Sequence, residues 1–142
     1  MSGDLAATRG GGCLCGAVRY RVAGEPYGSG ICHCRTCRRA ASAPNLPFLV
    51  FARDLFVITQ GKPAEFCSSA PVTRSFCGQC GSPLTYRTDD HPDRIDVMTC
   101  SLDDPESVPP AFHVWVSHKL AWESVGDRLP AYATTRASGH RV

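Results

Sequence analysis

Apolar and polar positions alternate along this chain in short runs, and glycine or proline ends nearly every run. Val18, Tyr20 and Val22 alternate with Arg19 and Arg21, the period of a half-buried strand. Gly24, Glu25 and Pro26 then break it. Residues 48–51 and 55–59 are rich in β-branched and aromatic side chains, which predicts two further strands. Short strands are also predicted over 64–68, 73–76, 84–87, 95–99 and 113–116, with turns at Gly61-Lys62-Pro63, at 77–81 and at 89–93. Asp103-Asp104-Pro105 reads as turn chemistry in a loop rich in proline and acid. Only residues 38–41 suggest a helical turn, and Pro44 and Pro47 forbid a longer one. There is no long amphipathic helix, internal repeat or low-complexity tract. The pattern predicts a mainly β fold with short strands and little helix, in keeping with 13 glycines and 11 prolines. Residues 1–11, small, polar and glycine-rich, are expected as a flexible N-terminal segment. Residues 12–132 are expected as a single domain and 133–142 as a C-terminal tail.

Composition narrows the function classes. A chain of 142 residues with 43% hydrophobic and 20% charged residues suits one folded domain and excludes wholesale disorder. The formal charge of +2 and the dispersed basic residues speak against nucleic acid as a partner. No apolar run approaches the roughly 18 residues that span a bilayer, so no membrane association is expected. The first residues lack the basic-then-apolar order of a signal peptide, and a reducing, cytoplasmic location is expected.

Nine cysteines change the picture. Cys13 and Cys15 are one residue apart, as are Cys32 and Cys34, and a disulfide between such neighbours closes a strained ring. The same spacings suit thiolates converging on one ion. Cys77-Gly78-Gln79-Cys80-Gly81 has the form of a zinc knuckle, in which the last glycine permits a positive φ. That pair supplies two of the four ligands a closed site needs, and Cys13-Leu14-Cys15-Gly16 is its natural partner. A redox Cys-x-x-Cys is the rival, but the helix expected to follow such a motif is missing. Cys32, Cys34 and Cys37 place three thiolates within six residues. Three protein ligands leave an open, catalytic position; a closed Cys₃His site completed by His33 or a distant histidine is the alternative. Cys67 and Cys100, in strand-like runs, are expected as buried small apolar residues. Phe48, Phe51 and Trp115 are expected in core packing, with a pocket wall as the rival role. Nothing is assigned to His91 or His140.

Four stretches occur in order: GCLCGAVRY, CHCRTCRR, FCGQCGSPL and HVWVSHKLAW. Together they resemble the glutathione-dependent formaldehyde-activating enzyme family, the CENP-V/GFA domain family, from about Gly12 to Trp122. The resemblance implies an Mss4-like zinc-binding β fold and a CENP-V/GFA-type zinc domain over 12–132. It implies two zinc ions: one structural, on Cys13, Cys15, Cys77 and Cys80, and one catalytic, on Cys32, Cys34 and Cys37. It implies a carbon–sulfur lyase that forms or cleaves thiol–aldehyde adducts, such as S-hydroxymethylglutathione from glutathione and formaldehyde. Arg35, Arg38 and Arg39 beside the triplet could meet the carboxylates of such a thiol, with a solvated arginine surface as the alternative. His113 could sit near the site or be a structural histidine. The proline-rich stretch 43–47 departs from the family's small-residue and aromatic pattern and is expected to border the open position. The other function class is a non-enzymatic Mss4-like zinc module that binds a protein partner. With seven thiolates and two Zn²⁺ ions the formal charge of +2 becomes −1, so the mildly basic character belongs to the metal-free chain.

Overall fold

The protein is described from a computed structural model covering residues 7–142. Among these residues ten strands and one α-helix follow in order: β1 (Thr8–Gly12), β2 (Arg19–Ala23), β3 (Gly28–Cys32), α1 (Arg35–Ala41), β4 (Leu46–Ala52), β5 (Phe56–Gln60), β6 (Ala64–Ser69), β7 (Val72–Phe76), β8 (Pro83–Thr88), β9 (Arg94–Met98) and β10 (Phe112–Val114). The fold is mainly β with little helix, as the pattern predicts. They pack as two compact units, the described part of Met1–Gly28 with Leu49–Val108, and Ser29–Phe48 with Pro109–Val142.

In the first unit β1, β2 and β5 form an antiparallel sheet in that order, and β4, β9, β8, β7 and β6 follow one another in a second sheet. The alternation seen in the sequence is realised. Val18, Tyr20 and Val22 are buried and Arg21 is exposed. They join Leu49, Phe51, Leu84, Ile95 and Val97 in one apolar core, which also contains Cys13 and Cys77. Strand β1 overlaps the segment expected to be flexible, residues 1–11, and runs one residue beyond it. Its glycines carry no strand signal, yet Thr8↔Ala23 through Gly12↔Arg19 pair it with β2 over its whole length. Residues 1–6 of that expected segment lie outside the described residues.

The second unit is leaner. Strand β10 pairs parallel with β3, and α1 follows β3 directly. Its apolar core is small: Cys32, Phe112 and Val114 are buried, with Phe48, Trp115 and Tyr132 packed on them. Phe48, Phe51 and Trp115 are thus all packing residues. Strand β3 is absent from the sequence expectation because Gly28-Ser29-Gly30 reads as a break. Strand β10 stops at Val114, short of the predicted 116, because Trp115 takes a left-handed conformation with φ 58° and a 3₁₀ turn follows. In the expected tail, Ala133 N–H donates to the His140 carbonyl and Val142 N–H to Ala131.

One expectation is overturned. Cys67 and Cys100 are exposed, not buried. Cys67 lies on β6, the edge of its sheet, and Cys100 in the 3₁₀ turn Thr99–Ser101, so neither has a second layer to cover it.

Candidate metal centres

Cys13, Cys15, Cys77 and Cys80 bring their four sulfurs within 4.8 Å of one another in the first unit. Two loops of the same construction do this. Cys13 N–H donates to the Val18 carbonyl, and Cys77 N–H to the Ser82 carbonyl, five residues on in each case. Gly16 and Gly81, each following the second cysteine of its pair, both have φ of +82°. There a side chain would be strained, and glycine lets the chain turn back. The Leu14 N–H donates to Ser82 Oγ at 3.0 Å, tying one loop to the other.

The donor set fits a tetrahedral thiophilic ion. Cys13 and Cys15 sulfurs are 3.6 Å apart, and those of Cys15 and Cys77 are 3.7 Å apart. These distances are far beyond a disulfide bond. They approach the edge of about 3.8 Å that four sulfurs make at ~2.3 Å from a central zinc. Backbone N–H groups already face the sulfurs: Val18 donates to Cys13 Sγ at 3.2 Å and Gln79 to Cys77 Sγ at 3.3 Å. The Val18 N–H holds the Cys13 thiol below its ordinary value, and hydrogen bonds from Ser82, its hydroxyl first, hold Cys80 down to about 5. For Cys13 and Cys80 this favours the thiolate, the form that binds metal, while Cys15 is pushed up to about 11, the lowering by the Ala17 N–H being outweighed by burial and the three neighbouring thiols.

Cys32, Cys34 and Cys37 form the other cluster, in the second unit, and their sulfurs also lie within 4.8 Å of one another. It is built differently. Cys32 ends β3, while Cys34 is the N-cap of α1, with its sulfur accepting the Cys37 N–H at 3.3 Å. Capping explains the Cys-x-x-Cys spacing: the cap's acceptor reaches the third helical residue, which here carries the third sulfur. The Cys32 and Cys37 thiols, and then the Cys37 and Thr36 N–H groups, hold the Cys34 thiol low, while Cys34, Cys37 and burial push Cys32 up. Among the described residues no fourth histidine, cysteine or carboxylate joins this group, His33 included. Both clusters could hold a metal ion, and their all-sulfur donor sets suit zinc.

All three predicted arginines meet at one cavity of about 440 Å³, lined by Arg35, Arg38, Arg39, Ser42, Ala43 and Leu120. The helical spacing of 35, 38, 39 and 42 puts them on one face of α1, next to the face that carries Cys34 and Cys37. Arg35 is braced from behind: its Nη1 donates to His118 Nε2 at 3.2 Å, and the His118 ring packs on Trp115. Arg38 and Arg39 also lie in the last helical turn, where positive charge meets the unsatisfied carbonyls. Ala43, the first residue of the stretch 43–47, lines this cavity.

His113 is placed differently from a substrate contact. It is 2% exposed and both ring nitrogens are engaged. Its Nε2–H donates to Asp127 Oδ2 at 2.8 Å, which leaves Nδ1 to accept from His33 Nε2–H at 2.9 Å. His33, wholly buried, presents its Nδ1 to Glu123 Oε1 at 3.3 Å. Asn45 Nδ2 donates to the other Glu123 oxygen, and Lys119 Nζ donates to the Glu123 carbonyl at 2.6 Å. Burial holds His33 toward its neutral form, and hydrogen bonds from the Leu129 N–H and from His113 hold Asp127 below the usual carboxylate range. Glu123, Asp127 and Asn45 have no place in the sequence-based site. The available signal is faint: Glu123 and Asp127 are the only acidic residues after Glu106.

The profile of the family described as "Glutathione-dependent formaldehyde-activating enzyme" matches residues 8–118. A Halomonas elongata protein named "Putative glutathione-dependent formaldehyde-activating enzyme" is 27% identical over 129 residues, covering 83% of this chain and 81% of that protein. An uncharacterized lyase of Schizosaccharomyces pombe is 32% identical over 76 residues, 54% of this chain and 55% of that one. A crystal structure of a Rhodobacter sphaeroides protein shares the fold, with a TM-score of 0.57 at 21% identity over 71% of this chain and 91% of that chain.

Proposed function

The chain belongs to the glutathione-dependent formaldehyde-activating enzyme family, and on that premise we propose that it is a zinc-dependent carbon–sulfur lyase acting on thiol–aldehyde adducts. Cys32, Cys34 and Cys37 would hold the zinc that takes part in the reaction, and Cys13, Cys15, Cys77 and Cys80 a second, structural zinc. When bound at the triplet, zinc supplies a position for a substrate sulfur and acidifies the thiol at neutral pH. Glutathione is the default thiol and formaldehyde the default aldehyde.

The chain's own residues account for recognition. Arg35, Arg38 and Arg39 offer a positive cavity on the helix that carries two of the three sulfurs, which suits a thiol bearing carboxylates. Arg35 is pre-set by His118, so less side-chain freedom is lost when a carboxylate docks. Three thiolates and one Zn²⁺ sum to a negative centre, which favours a soft thiol over water as the incoming ligand. In the forward direction the thiol gives up its proton, the sulfur adds to the aldehyde carbon, and the carbonyl oxygen takes a proton to become the hydroxyl. One C–S bond forms as one C=O π bond is lost, with no change of oxidation state. The reverse reaction is elimination.

The observation that carries this reading is the pairing of a three-sulfur group with an arginine-lined cavity on the same helix. A partner-binding module would have the triplet closed by a fourth protein donor, and none joins the group among the described residues. The test follows adduct formation from glutathione and ¹³C-formaldehyde by NMR exchange. Catalysed exchange in the zinc-loaded protein that falls at least a hundredfold in Cys34→Ser supports the reading. Equal exchange in the two proteins would overturn it.

A further inference from the structure

The relay Asp127–His113–His33, with both imidazoles buried and the carboxylate at the surface, lies in the second unit and belongs to no ligand set or cavity described above. It ends at a residue that stands between two of the three sulfurs. We infer that Asp127 is a positioning residue of the three-cysteine centre: through His113 it fixes His33, and with it Cys32 and Cys34 on either side.

Three observations converge. First, His33 is held through its backbone and one ring nitrogen. Its backbone N–H donates to the Val114 carbonyl at 3.0 Å and its Nε2–H to His113 Nδ1 at 2.9 Å, while its Nδ1 makes no hydrogen bond with Glu123 Oε1 at 3.3 Å. Consecutive Cα atoms are only about 3.8 Å apart, so a shift of His33 carries both neighbouring sulfurs with it. Second, the apolar core of this unit is small, with three buried residues of which one is Cys32 itself. Packing alone therefore gives the cysteine loop little support, and directional polar contacts must set it. Third, Asp127 is shaped for the task. Its Oδ1 accepts the Leu129 N–H at 3.0 Å, which orients the carboxylate, while Oδ2 accepts from His113. Metal-ligand loops in general depend on such outer hydrogen bonds for ligand orientation. This inference rests on the triplet as a metal centre, and not on the reaction performed there.

The test is metal release from the zinc-loaded full chain into excess chromophoric chelator. Two phases are expected, and the triplet phase is identified as the one that Cys34→Ser alters. Asp127→Ser keeps an oxygen for the Leu129 N–H and withdraws the partner of His113. Because the Asp127 side chain is 41% exposed, the substitution spares the core. Asp127→Ser should speed the triplet phase at least tenfold, while the four-cysteine phase stays within twofold. Asp127→Asn, with one carbonyl oxygen for two donors, should fall between Asp127→Ser and the parent. A triplet phase unchanged in Asp127→Ser would overturn the inference. So would equal acceleration of both phases, which marks general loosening, or uptake of only one ion by the parent. Release kinetics that move as expected in a protein with no thiol–aldehyde turnover would sink the proposed reaction and leave the positioning role intact.

Discussion

The two cysteine clusters use the same ligand chemistry on different scaffolds. The four-cysteine group sits on two matching turns, each closed by a backbone hydrogen bond over five residues and a glycine at +82°. Two of its sulfurs, Cys13 and Cys77, are part of a large apolar core. The three-cysteine group joins a strand end to a helix cap, beside a small core and a cavity of arginines. Turn loops aim sulfurs at one point from two sides and close a tetrahedron. A helix cap supplies sulfurs from one side only, and the helix then carries charged side chains to the same neighbourhood. The first arrangement suits a staple, and the second suits a site that receives a ligand.

The contrast can be broken most severely at Cys77, which is 1% exposed. Cys77→Ser should cost about 5 kcal/mol or more, because a structural zinc contributes its binding energy to folding. Loss of the cooperative melting transition by circular dichroism would show this. A Cys77→Ser protein that melts like the parent would remove the distinction between the centres. Cys34→Ser should do the reverse, keeping the melting temperature within a few degrees while abolishing turnover.

Arg38→Gln sharpens the functional half of the comparison. Loss of one carboxylate contact should raise KM for glutathione about tenfold, equivalent to ~1.4 kcal/mol. Turnover of cysteamine, which has no carboxylate, should be unaffected. An equal loss for both thiols would assign Arg38 to helix stability alone.

The smallest effect belongs to Asp96 in the first unit. Burial pushes its carboxyl up to about 7, against the lowering influence of Arg74 and Arg94. A native state that binds this proton more tightly than the unfolded chain gains stability in acid. The gain is full below about 4, the unfolded value, and is lost as pH rises through 7. Asp96→Asn should therefore raise the melting temperature by a few degrees at pH 8 and leave it unchanged at pH 4. Activity per folded molecule should not move.

How much of this was legible in sequence depended on whether the signal was local. The zinc-knuckle spacing, the glycines after Cys15 and Cys80, and the Val18-Tyr20-Val22 alternation each act within a few residues, and each has its counterpart in the structure. Arg35, Arg38 and Arg39 were legible as neighbours of the triplet but their shared cavity was not, because only residues 38–41 read as helical and the helix begins at Arg35. Strands β1 and β3 were not, since glycines at 10–12, 28 and 30 carry no strand propensity and pair only because a partner strand is present. Cys67 and Cys100 misled because apolar neighbours in sequence do not reveal a sheet edge or a surface turn. The carboxylates of Glu123 and Asp127 lie some 90 positions from His33, and no spacing rule reaches that far.

The central claim is that the triplet accepts a thiol and the four-cysteine centre does not. Its most direct test is glutathione titration of the cobalt-substituted protein, reading the sulfur-to-cobalt charge-transfer bands. Glutathione should add intensity to the bands that Cys34→Ser removes, in proportion to one site, and leave the bands of the four-cysteine centre unchanged. Bands at the triplet that ignore saturating glutathione, while thiol–aldehyde turnover proceeds, would contradict the account.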